Sequence, residues 1–114
     1  MGIQITLEEI DQVLILRLDG RLDAATAVVL ERKLAPLIEE GKHLRIALDC
    51  ANIDYLSSAG MRVLLAMNKK MHTKQGVLLL FSLSGEVEEI LKMAGFDRVF
   101  RIFSNEKEVL QFKK

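Results

Sequence analysis

Apolar residues in this chain recur at two periods, and the two take turns along it. Ile3, Ile5 and Leu7 alternate with polar neighbours as a half-buried strand does, and a polar turn over 9–12 leads into the denser run Val13-Leu14-Ile15-Leu16. These two segments read as an antiparallel opening pair, the second broken by Asp19-Gly20. A helical period then begins near Ala24, with Ala27, Leu30, Leu34, Leu37 and Ile38 on one face and Asp23 placed to cap it. Pro36 falls inside that period while the apolar face continues in phase, which predicts a kink rather than an end; Gly41 supplies the stop. A strand is expected over 44–49, with Leu44, Ile46 and Leu48 on one face, followed by a connector carrying Asn52, Asp54, Ser57 and Ser58. A second helix is expected over about 59–74, its apolar surface made by Met61, Leu64, Leu65, Met67 and Met71. The unbroken run Val77-Leu78-Leu79-Leu80-Phe81 predicts a strand covered on both faces. Val87, Ile90, Leu91 and Ala94 make a short third helix ended by Gly95, a last strand follows over 99–103, and Asn105 with Glu108 resembles a capping box opening a final helix.

The order is ββαβαβαβα. It predicts an α/β fold in a single domain over residues 1–114, with a mixed, mostly parallel sheet of about five strands and about four helices, because each later helix serves as a crossover between parallel strands. Half of the 114 residues are hydrophobic, enough for one core. Sixteen basic and sixteen acidic side chains cancel, so no net field gathers nucleic acid or anionic lipid, and neither is expected as a direct partner. The apolar runs fall far short of the eighteen or so residues of a membrane span, and the first six residues carry a strand pattern where a secretory signal needs a basic cap and a longer apolar block. The lone Cys50 closes an apolar run and reads as a buried thiol in a reducing, cytoplasmic compartment.

Catalytic patterns are missing. There is no Gly-Lys-Ser/Thr phosphate loop and no G-x-G-x-x-G after a strand. Ser58, Asp54 and His72 suggest a triad on paper, but fourteen helical residues at 1.5 Å each put His72 roughly 20 Å from Ser58. No enzyme activity, cofactor or metal is expected. The segment Ile53-Asp54-Tyr55-Leu56-Ser57-Ser58-Ala59-Gly60-Met61 is different in kind: it leaves the C-terminal end of a strand and enters a helix, where α/β sheets place functional groups. One serine suffices for an N-cap. Two serines followed by Ala59-Gly60 exceed that need, and Gly60 in a first helical turn gives up about 1 kcal/mol of propensity relative to alanine.

Tyr55-Leu56-Ser57-Ser58-Ala59-Gly60-Met61-Arg62-Val63-Leu64-Leu65, together with Leu18-Asp19-Gly20-Arg21-Leu22-Asp23 before a helix, resembles the signature of the anti-sigma-factor antagonist (STAS) family, and the element order agrees over essentially the whole chain. The resemblance implies a protein that binds an anti-sigma factor with serine kinase activity in a partner-switching pathway and thereby regulates sigma-factor-dependent transcription. It further implies that phosphorylation of the motif serine ends the interaction and that a phosphoserine phosphatase restores it. By register the acceptor is Ser58. Many members carry an acidic residue just before the acceptor, where this chain has Ser57, and Ser57 is accordingly the second choice. Asp23, Ser57, Ser58, Ala59, Gly60, Met61 and Arg62 are the expected partner-binding residues. Two alternatives share parts of the pattern: a ligand-sensing or transporter-associated module of the same fold, and a receiver-like phospho-aspartate domain using Asp49 at a strand end.

Overall fold

The structure, a computed structural model, describes residues 2–113; Met1, at the head of the expected opening strand pattern, and Lys114 lie outside them. The hairpin of β1 (Ile3–Ile10) and β2 (Val13–Leu22) is antiparallel, from Ile10 opposite Val13 to Ile3 opposite Gly20. Its turn is only Asp11-Gln12, both at positive φ (52° and 68°), the geometry that suits the twist of a two-residue hairpin. The turn is therefore tighter than the 9–12 segment expected. Asp19-Gly20 does not break β2 either. The strand runs on to Leu22 through irregularities in its pairing with the third strand, and Gly20 absorbs one of them at φ 141°.

Helix α1 (Ala24–Glu40) carries Pro36 without ending, and Gly41 closes it in the left-handed conformation at φ 69°. Strand β3 (Arg45–Leu56) is twelve residues long, twice the expected run, and takes in Asn52 and Asp54, which were expected in a connector. Leu44 lies outside it, more than half exposed, while Ile46 and Leu48 face one core and Ala47 the other. Helix α2 (Ser58–Thr73) follows at once, then β4 (Val77–Phe81), α3 (Gly85–Met93), β5 (Arg101–Phe103) and α4 (Glu106–Gln111). The last strand begins two residues later than expected, because Val99 is held in a turn by its amide bond to the Phe96 carbonyl. Asn105 caps α4 as expected, but the Glu108 carboxylate accepts from the Ser104 amide rather than from that of Asn105.

The five strands lie side by side in chain order, and only the β1–β2 pair is antiparallel. Leu30, Leu34 and Ile38 of α1, Leu64, Met67 and Met71 of α2, and Val87 and Leu91 of α3 bury one face of the sheet. The opposite face, Val13, Ile15, Ala47, Val77, Leu79 and Phe81, is closed by Val109 of α4 with Leu110 and Phe112 beside it. On that face Arg17 donates to Glu8 at 2.8 Å, Asp49 at 2.9 Å and Glu106 at 2.9 Å, tying β1, β3 and α4 to β2. Glu106 first, then Glu8, hold the guanidinium well above its ordinary range. Asp49 thus sits in mid-strand with its carboxylate committed to Arg17 and to the Ala51 amide, not at a strand end as an acceptor. That placement removes the receiver-like alternative.

Cys50 is buried in the main core. Burial, with the Asp49 charge adding to it, pushes its thiol up to about 12. At pH 8 the folded protein should therefore be inert to Ellman's reagent and yield one equivalent of thiol when unfolded in urea; rapid labelling under native conditions would contradict the packing.

Candidate functional site

Parallel pairing of β2 with β3 ends with Leu22 opposite Leu56, so the two strands deliver their helices from the same edge of the sheet. Asp23 and Ser57, one residue further along each chain, become neighbours there. The junction is closed by the Ser57 amide, which donates to the Leu22 carbonyl at 2.8 Å. Each residue caps its own helix. The Asp23 Oδ1 accepts from the Ala25 and Thr26 amides, both at 3.0 Å, and the Thr26 hydroxyl accepts from the Asp23 amide at 2.9 Å while donating to the Arg21 carbonyl. These donors, the Thr26 amide above all, hold the Asp23 carboxyl below the usual carboxylate range.

The two serines of the pair have separate positions. Ser57 is extended (φ −89°, ψ 171°), and its Oγ accepts from the Gly60 amide at 3.0 Å, which makes it the N-cap of α2. Ser58 is the first residue of the helix; its side chain is exposed and its hydroxyl bonds to no described residue. Arg62, one turn further on, is also exposed, and Ala59 is half-buried.

Two of the expected contact residues face the other way. Met61 is 8 % exposed and belongs to the main core, and Gly60 is buried, so neither offers surface to a partner. Gly60 is there because the junction is tight. A Cβ on it would stand 2.9 Å from the Leu22 carbonyl oxygen, 3.0 Å from Leu22 Cβ and 3.0 Å from Leu56 Cδ1. Its absence lets α2 begin directly against the end of β2, and this close approach accounts for the propensity it gives up.

Arg21 and Tyr55 were within the quoted motifs but were not singled out. The guanidinium of Arg21 lies 4.6 Å from the centre of the Tyr55 ring, and Tyr55 is 39 % exposed. The signal was in the register: Arg21 precedes Asp23 by two, as Tyr55 precedes Ser57, and alignment of Leu22 with Leu56 brings them side by side. The exposed surface at this corner therefore comprises Ser58, Arg62, the Asp23 turn and the Arg21–Tyr55 stack. His72 sits at the far end of α2, as the helix length requires. Among the described residues no three His, Cys, Asp or Glu side chains are grouped to hold a metal.

The sequence profile of the STAS domain family matches residues 4–109. The chain is 37 % identical over 105 residues to BtrV of Bordetella bronchiseptica, named as a candidate anti-sigma factor antagonist, covering 92 % of this chain and 89 % of that protein. Its fold is similar to that of an anti-sigma factor antagonist from Mycobacterium paratuberculosis, with a TM-score of 0.85, 20 % identity and coverage of 95 % and 91 % of the two chains. It is also similar to the Bacillus cell fate determinant SpoIIAA in its phosphorylated form, with a TM-score of 0.71, 18 % identity and coverage of 93 % and 96 %.

Gly60→Ala should lower stability by about 1–3 kcal/mol in urea denaturation, since backbone lies in the path of the added methyl group. An unchanged midpoint would show that the junction is looser than drawn. Because the Asp23 carboxyl is held below its ordinary value, its stabilising contribution is complete above the unfolded-state carboxylate range and is lost as pH falls through the folded value. Asp23→Asn should accordingly flatten the acid limb of a plot of melting temperature against pH.

Proposed function

The chain belongs to the STAS domain family, and on that premise we propose that it is an anti-sigma factor antagonist, switched by phosphorylation of Ser58. In this reading it binds an anti-sigma factor with serine kinase activity in the cytoplasm, releases a sigma factor for transcription, and is disabled when the same kinase modifies it. A phosphoserine phosphatase returns it to the binding form. The domain is a binding partner and does no chemistry of its own. Support comes from the names of its relatives and from one observation above the others: Ser57 Oγ is occupied as a cap while the Ser58 hydroxyl, next to it, is exposed and bonds to no described residue.

The chemistry of the switch follows from where Ser58 stands. A phosphoserine carries nearly two negative charges and three strong acceptors at neutral pH. At the first position of α2 it would meet the positive end of the helix and its free amides, which favour an anion. Arg62 is four residues on, at the spacing where a helix lets opposite charges pair. Phosphorylation therefore leaves the fold intact and changes the surface. A partner packed against Ser58, the Asp23 turn and the Arg21–Tyr55 stack would face new charge in a desolvated contact. A loss of about 3 kcal/mol there lowers affinity more than a hundredfold, enough to reverse a competition for the anti-sigma factor.

Three variants test the assignment against a candidate anti-sigma kinase of the same genome. Ser58→Ala should fold, bind the kinase and take up no phosphate; Ser58→Asp should fold and bind at least tenfold more weakly in calorimetry. Ser57→Ala should lose about 1 kcal/mol of stability as a missing cap and still be phosphorylated. Undiminished phosphate on Ser58→Ala, mapped by mass spectrometry to another residue, would overturn the assignment.

A further inference from the structure

Toward its far end α2 carries one polar side chain on its inward side. Asn68 is only 7 % exposed, yet its carboxamide bonds to no described residue. A primary amide has two donors and an acceptor oxygen with two lone pairs, and leaving them unfilled in a packed setting is destabilising. The amide atoms are not sealed off, however. Asn68 lines a cavity of about 680 Å³ between α2 and the stretch 97–103 that leads into β5. His72, one turn further along α2, lines it too, with Arg98, Arg101 and the apolar side chain of Ile102. Asp97 is the one acidic group in the lining. Among the described residues neither arginine has a carboxylate partner, and the Arg101 guanidinium rests 5.5 Å from the centre of the Phe112 ring instead. A second hollow of about 420 Å³ continues the first and shares His72 and Arg101 with it.

We propose that this cavity binds a small anionic ligand, one bearing phosphate or carboxylate groups on an apolar or planar body. Arg98 and Arg101 hold the anionic oxygens, Asn68 turns its amide, which no described residue engages, to directional hydrogen bonds with the ligand, and Ile102 packs against the body of the ligand. The volume is within the usual range for small-molecule sites. An acidic peptide added as a strand is the weaker fit, because β5 offers only three residues of edge. The site lies about 15–21 Å along α2 from Ser58, so it stands or falls independently of the phosphorylation reading.

Sodium pyrophosphate and sodium citrate, titrated separately into the ¹⁵N-labelled protein, distinguish phosphate from carboxylate recognition. Saturable movement of the Asn68 side-chain amide pair and of the Arg98 and Arg101 Nε signals with either probe is expected. In the Arg98→Gln/Arg101→Gln protein, with an unchanged melting curve, affinity should fall at least tenfold. Movement no larger than that produced by sodium chloride at equal ionic strength, up to about 20 mM probe, overturns the proposal. So does a response that survives the double substitution, or one given only by a Glu-rich peptide along the β5 backbone.

Discussion

A single backbone hydrogen bond, from the Ser57 amide to the Leu22 carbonyl, fastens together the two places where this sheet hands its chain to helices. It closes the parallel register of β2 and β3, and it is made possible by a residue without a side chain at position 60. Because the approach is so close, α1 and α2 start from one rigid corner, and their first residues hold a fixed relation to each other. In the proposed reading this surface meets a kinase that is also its binding partner, and a phosphatase, and such recognition benefits from a fixed corner, since loosely held groups lose entropy on every encounter.

The adjacent serines show how one short segment serves structure and surface at once. Ser57 faces back into the first turn and satisfies an amide that the helix cannot. Ser58, the first helical residue, faces water. Structural work done by one hydroxyl leaves the other free, and charge placed on the free one is welcomed by the helix and felt by whatever is bound outside. On the far side of the sheet the Arg17 cluster holds β1, β3 and α4 to β2, so the platform behind the corner is fixed as well.

The alternation of periods made the element order legible, and the caps at Asp23, Gly41 and Asn105 were readable because each follows from local backbone need. What escaped depends on pairing across the sheet. Asp19-Gly20 has the composition of a break, yet β3 lies alongside and gives β2 partners as far as Leu22. In the same way Asn52 and Asp54 look like loop residues, and pairing with β2 as far as Leu56 carries that part of β3 past the end of β4. Gly60 and Met61 entered the expected contact set through the motif; Leu22, a residue nearly forty positions away, crowds Gly60, while Met61 packs into the main core as its place on the helix's apolar face implies. The Arg21–Tyr55 stack was hidden for the same reason, since only strand register brings the two together.

The account rests on added charge changing the outside of this corner while the packing beneath stays as it is. The most direct measurement compares ¹H–¹⁵N spectra of the unmodified protein and of protein phosphorylated at Ser58. Shifts confined to the first two turns of α2, the Asp23 turn and the Arg21–Tyr55 stack, with Leu30, Leu79 and Val109 unmoved, are the predicted result. Displacements spread through both cores would contradict it, showing that the phosphate acts by rebuilding the fold.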